Sequence, residues 1–155
     1  MEFIDFIKNG VFEINLEVST KEDVFRILCE RLYKNKKVRS GFYQALIRRE
    51  KKFPTGLLLR KHNIAIPHAD PDNIIQSSIA IATLKNPVVF QCMDNENKSI
   101  EVRIIFLLAL EKAHSNVEVL KKIMLMIQDE LFLQDLLQAK NRDNIIRIIS
   151  QKYEI

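Results

Sequence analysis

The stretch "SIAIATLKNPVVFQCMDNENKSIEVRIIFLLAL", residues 78–110, decides the fold. Three apolar segments stand out: "SIAIATL" (78–84), "VVFQ" (88–91) and "IEVRIIFLLAL" (100–110). "KNP" (85–87) and "DNENK" (94–98) read as turns between them, so the stretch predicts three strands. The run "IIFLLAL" (104–110) has no polar alternation. It is only about a third of a membrane span. It predicts a central strand.

Outward from this stretch the pattern changes period. Upstream, "VFEINLE" (11–17) alternates as a strand. "STKEDVFRILCERLYK" (19–34) opens on Ser19 or Thr20 with Glu22 or Asp23 three residues on, a helix-capping signal. Val24, Ile27, Leu28 and Leu32 then recur at helical spacing. Ser40 is positioned to cap a second helix, "GFYQALIRREKK" (41–52), which "FPTG" (53–56) ends. "IAI" (64–66) reads as a short strand and "DPDN" (70–73) as a turn. Downstream, Val117, Leu120, Ile123, Met124 and Ile127 form one apolar stripe. "DELFLQDLLQA" (129–139) and "NRDNIIRIISQKY" (141–153) read as two more helices. The order predicts an α/β (α+β) fold, a mixed central β-sheet flanked by helices on both sides.

Length and composition agree with one domain, residues 1–155. A chain of this size buries about 70% of the surface its unfolded form exposes, so it needs no disulfide or metal to hold it. Cys29 and Cys92 form no C-x-x-C, which fits a reducing compartment. "MEFIDFIKNG" (1–10) carries Glu2 and Asp5 and no small-residue cleavage site, so it is a poor signal peptide. A cytoplasmic domain is expected.

The net charge of +4 is unevenly spread. Residues 31–61 hold eleven Lys/Arg against one acid, Glu50. Such a block can attract a polyanion. It fits a solvated helix face better than a nucleic-acid interface, and no nucleic-acid partner is expected.

The chemistry-bearing residues are few. No P-loop, G-x-G-x-x-G or G-x-S-x-G is present, and no cofactor is expected. His62 and His68 stand six residues apart in "HNIAIPHAD" (62–70). In an extended segment that separation is about 20 Å, too far for one metal, so no metal site is expected. His62, before the strand, reads as a surface residue. His68 follows Pro67 directly at the strand's end. Proline fixes its own φ and holds Ile66 extended, so the His68 backbone arrives in a set direction. Strand ends are where sites gather in α/β sheets. Arg49, at a helix end, and Thr55, in a tight turn, lie nearby in sequence. A histidine with an arginine and a hydroxyl suits a phosphoryl group.

"YQALIRREKKFPTGLLLRKHNIAIPHAD" (43–70) resembles the signature of the EIIA components of the bacterial sugar phosphotransferase system, in the fructose–mannitol superfamily. That pattern is a helix ending in Arg-Glu, a Pro-Thr-Gly turn, then apolar-Pro-His. The resemblance covers nearly the whole chain, and its details are most similar to galactitol-type EIIA. It implies a carrier that takes a phosphoryl group from the histidine of HPr and passes it to a sugar-specific EIIB. In galactitol-like systems the acceptor is a cysteine. EIIA does not itself bind sugar, and meets the membrane only through the EIIB/EIIC complex. The resemblance places the phosphorylated nucleophile on His68, phosphoryl charge stabilisation on Arg49 and a supporting role on Thr55. Fructose and mannitol members carry a second histidine in a His-apolar-x-apolar-Leu pattern. "NVEVL" (116–120) matches that register and puts Asn116 there, with His114 two residues earlier. Galactitol-like members tend to lack this histidine too. The basic charge of this chain also departs from acidic members. A regulatory EIIA-like domain, whose His68 phosphorylation controls a partner protein, is the alternative reading.

Overall fold

A computed structural model gives the fold of residues 3–153. In chain order the elements are α1 (Phe3–Lys8), β1 (Phe12–Leu16), α2 (Lys21–Lys34), α3 (Phe42–Lys52), β2 (Gly56–Leu57) and β3 (Ile64–Ala65). A 3-10 turn (Pro71–Asn73), β4 (Ser78–Gln91), β5 (Ser99–Ala109), α4 (Ala113–Met126), α5 (Glu130–Gln138) and α6 (Arg142–Tyr153) follow. The five strands form one mixed sheet in the order β1-β4-β5-β3-β2. β4 and β5 pair antiparallel, as do β2 and β3, while β1–β4 and β3–β5 pair parallel.

Strand side chains alternate between faces, and β5 shows what that does for an unbroken apolar run. Ile105, Leu107 and Ala109 join a core with Val24, Phe25 and Leu28 of α2 and Leu46 of α3. Ile104, Phe106 and Leu108 join another with Ile7 of α1, Ile123 of α4 and Phe132 of α5. Both faces of the strand are therefore dry, which is why its sequence lacks alternation. The sheet with helices on both sides matches the fold class expected from the sequence.

Several local expectations change. "KNP" is not a turn: β4 runs through it, with its pairing to β5 shifted between Thr83 and Val88. Pro87 has no N–H to give the ladder, and an irregularity is where a strand tolerates it. Lys85, Asn86 and Pro87 are all exposed there, and Arg103 of β5 donates from Nε to the Leu84 carbonyl at 3.0 Å. Thr20 caps α2, its hydroxyl accepting from the Asp23 N–H at 3.1 Å. Ser40 does not cap α3; Gly41 holds that position without a side-chain bond. The N-terminal segment, read only as a poor signal peptide, forms α1 and buries Phe3, Phe6 and Ile7.

The stripe on α4 is turned from the expected one. Ile123 and Ile127 of that stripe are buried, but Val119 and Met126 join them in place of Val117 and Met124, which are half exposed. A shift of one residue turns a helix face by about 100°, and both sets keep helical spacing. Only packing against the sheet chooses between them.

Candidate functional site

The site is assembled from the end of α3, the Pro-Thr-Gly turn and the end of β3. Neighbouring residues on a helix project about 100° apart. Arg49 and Glu50 therefore diverge at the last turn of α3. Glu50 turns inward and is 3% exposed, while Arg49 stays at the half-buried edge. The Glu50 carboxylate accepts twice from Thr55, from its N–H at 2.8 Å and from its hydroxyl at 2.7 Å. The turn is thereby fastened to the helix. Burial raises the Glu50 pKa above its ordinary value, opposed by those two Thr55 bonds and by the charge of Lys21.

Gly56 then lets β2 approach β4 closely. A Cβ there would lie 2.6 Å from the Gln91 carbonyl oxygen, so alanine forces the backbone to move. β2 pairs with β3, and the Ile66 N–H donates to the Thr55 carbonyl at 3.2 Å. On the other side the Leu108 N–H of β5 donates to the Pro67 carbonyl at 2.9 Å, and His68 bridges Leu108 in parallel register. Backbone from two strands thus fixes the segment from Ile66 to His68.

The His68 ring is oriented by that backbone. Its Nδ1 lies 2.9 Å from the Ile66 carbonyl oxygen. A carbonyl only accepts, so Nδ1 is the protonated nitrogen and the neutral ring keeps its lone pair on Nε2. Burial lowers the His68 pKa below its ordinary value. The Arg49 charge lowers it further, while the Ile66 carbonyl and Asp70 act the other way. The ring is therefore held neutral, with one nitrogen available as a nucleophile.

Arg49 places its guanidinium carbon 4.5 Å from the Phe53 ring centroid. No ion pair to it occurs among the described residues. Arg48, Lys52 and Phe53 of this segment face Asp70 and Asn73 across a cleft of about 310 Å³. Arg48, unlike Arg49, is exposed.

The structure places Thr55 differently from a phosphoryl-facing hydroxyl. It is 2% exposed, and its hydroxyl proton is given to Glu50. Glu50 is the residue the sequence reading missed. Its signal was present: a lone acid inside a basic segment, five residues before a turn threonine.

Asn116 lies in the first turn of α4, which starts four residues beyond the end of β5. His68 bridges β5 near that same end, so the topology sets both at the C-terminal end of β5. Asn116 is 9% exposed, and its Oδ1 is buried without a hydrogen-bond partner among the described residues. His114, in the same turn, is exposed. His62 is half-buried rather than on the surface, its Nε2 is shielded and has no hydrogen-bond partner among the described residues, and burial lowers its pKa. Among the described residues no cluster of three His, Cys, Asp or Glu is arranged to hold a metal ion, and no helix is long and apolar enough to cross a membrane.

Three comparisons bear on this geometry. The fructose-specific EIIABC component of Bacillus subtilis (strain 168) is 27% identical over 97% of the chain, and the match covers 23% of that protein. The chain thus spans about a quarter of that relative's length. The galactitol-specific EIIA component of Escherichia coli (strain K12) is 28% identical over 75% of the chain and 73% of its own length. Among solved structures, the complex of mannitol enzyme IIA with phosphorylated enzyme IIB from Escherichia coli superposes with a TM-score of 0.73. Identity there is 19%, over 90% of this chain and 94% of the other; at that identity the likeness is one of fold. The family described as "Phosphoenolpyruvate-dependent sugar phosphotransferase system, EIIA 2" matches residues 5–152. The chain belongs to this EIIA family of the sugar phosphotransferase system.

Proposed function

We propose that the chain is a cytoplasmic phosphohistidine carrier working through His68. Nε2 of the neutral ring attacks the phosphorus of phospho-HPr. The bond from phosphorus to the donor histidine breaks as the bond to Nε2 forms, and the donor nitrogen keeps the electron pair. His68 Nδ1 keeps its proton throughout, donating it in the hydrogen bond to the Ile66 carbonyl. In the second half-reaction a cysteine thiolate of a sugar-specific EIIB attacks the same phosphorus, and Nε2 regains its lone pair. Such transfer depends mainly on alignment and on neutralising phosphoryl charge. The backbone-held ring provides the first and Arg49 the second. Asn116 offers one amide to the phosphoryl group or to the ring.

The single observation that carries this reading is the 2.9 Å bond from His68 Nδ1 to the Ile66 carbonyl, which leaves Nε2 free. Family membership and the fold shared with an enzyme IIA that is complexed with its phosphorylated IIB support it. The partner EIIB is taken to be of a galactitol-like or related polyol or sugar system, on the likeness to the galactitol component.

The test is incubation with phosphoenolpyruvate, enzyme I and HPr, followed by intact mass measurement. One acid-labile phosphoryl group is expected on wild type and on His62→Ala, and none on His68→Ala. Undiminished labelling of His68→Ala overturns the proposal.

A further inference from the structure

Phe53 has no packing reason to be aromatic. It is 50% exposed, beyond the last residue of α3, where an apolar ring gains little from burial. Its position is nonetheless tightly set. Its N–H donates to the Arg49 carbonyl at 2.7 Å, closing the helix. The next residue, Pro54, is buried and disfavours helical backbone at Phe53, which sits at φ −131° and ψ 85°. The ring therefore lies one helical turn from Arg49, facing its guanidinium at 4.5 Å, with the Lys52 ammonium 5.5 Å from the same centroid.

We propose that Phe53 is a positioning residue for phosphoryl transfer: its ring face holds the Arg49 guanidinium in place without neutralising it. The inference rests on the phosphocarrier reading above. Its physical basis is a difference between two ways of ordering an arginine. A carboxylate partner would fix the guanidinium but cancel its charge, and the pair would have to part before the phosphoryl group could be met. An aromatic face attracts the cation through its quadrupole and leaves the N–H donors at the edge of the guanidinium plane free. Among the described residues Arg49 has no ion pair to break. Phe53 acts on the reaction only through Arg49.

The test uses two phosphoryl donors on the full chain, phospho-HPr and the small molecule phosphoramidate. The variants are Phe53→Ala, Phe53→Leu, Phe53→Tyr and Phe53→Trp, each also made with Arg49→Ala. Loss of a cation–π contact in this range predicts rates lowered about 3–30-fold in Phe53→Ala and Phe53→Leu. The drop is expected with both donors, and with HPr it should fall on kcat rather than KM. Tyr and Trp should restore the rate. With Arg49→Ala present, Phe53→Ala should cost nothing further. Leu restoring the rate as well as Tyr overturns the proposal, since bulk alone then suffices. A loss confined to HPr also overturns it, by making Phe53 a docking contact. So does an undiminished additional loss in the Arg49→Ala background. If wild type takes no phosphoryl group from either donor, the carrier reading itself fails, an outcome distinct from all of these.

Discussion

Glu50 grips Thr55 at both of its donors: one carboxylate oxygen accepts the backbone N–H and the other the hydroxyl, at 2.8 and 2.7 Å. All four groups lie in the interior, with Glu50 3% and Thr55 2% exposed. Glu50→Ala leaves two buried donors without an acceptor, at about 1–3 kcal/mol each. We expect Glu50→Ala to lose roughly 2–5 kcal/mol of stability. Thr55→Ser keeps both bonds and should lose far less. Urea denaturation at unchanged m-value measures both. Equal losses in the two variants would show that the methyl group, and not the bonds, holds the turn.

The depressed pKa of His68 gives a pH dependence whose sign can be worked out. In the unfolded chain the imidazole takes its proton near pH 6.5. In the fold, burial and then Arg49 postpone that proton to lower pH. As pH falls from about 6.5 toward the folded pKa, the unfolded state binds more protons, so stability falls across that window. Above it the neutral ring costs nothing; below the folded pKa the loss is complete. We expect this slope in the difference between wild type and His68→Ala in chemical denaturation, because the variant lacks it. Arg49→Ala should move the ring's titration upward by NMR, and a downward move would contradict the assigned geometry.

Arg49 and Arg48 are neighbours in sequence with different surroundings. Removing one electrostatic donor from a phosphoryl site typically costs about 10²–10³ in rate. That is the expectation for Arg49→Ala, with native circular dichroism. Lysine should restore only part, because it lacks the planar fork. Arg48 is exposed, and Arg48→Ala should stay within a few-fold of wild type. Equal damage at the two positions in a phosphotransfer assay would reduce both to a bulk positive field.

Asn116 is buried and His114 is not. An amide donates and accepts but does not titrate near neutrality. The rate of transfer from HPr against pH should therefore show one titration, that of His68. Asn116→Ala should lose about one hydrogen bond, roughly 0.5–1.5 kcal/mol, or a few-fold to about tenfold in rate. His114→Ala should lose almost nothing. A second titration that disappears with His114→Ala would make His114 the working partner.

The sheet was legible because its signals are collective. Seven apolar residues in a row, 104–110, permit few arrangements other than a strand covered on both faces. The cap at Thr20 was legible because one side chain reaches one nearby amide. What the sequence hid were choices made by distant packing. β4 passes through Lys85–Pro87 because β5 supplies Arg103 across from the shift, a contact nineteen residues away. The face that α4 buries is set by the sheet beneath it. The short α1 shows its reason only in the core it joins, with Ile7 fully buried. In the site, His68, Arg49 and Thr55 could be picked out by residue type and motif. The bonds that hold them in place could not, because the Ile66 carbonyl that orients His68 and the Thr55 N–H that Glu50 accepts are main-chain groups that every residue but proline shares.

The ring of His68 takes its orientation from the Ile66 carbonyl, and the Ile66 amide is in turn held by the Thr55 carbonyl. Peptide groups cannot be substituted. Exchanging one side chain for another at Ile66 or at the exposed positions around the cleft leaves that donor and acceptor where they are. On the proposed carrier role, reactivity is thus written in the main chain and partner choice in the side chains around it. Natural drift or deliberate redesign can rewrite the surface around the cleft while the His68 ring beneath stays aimed as it was.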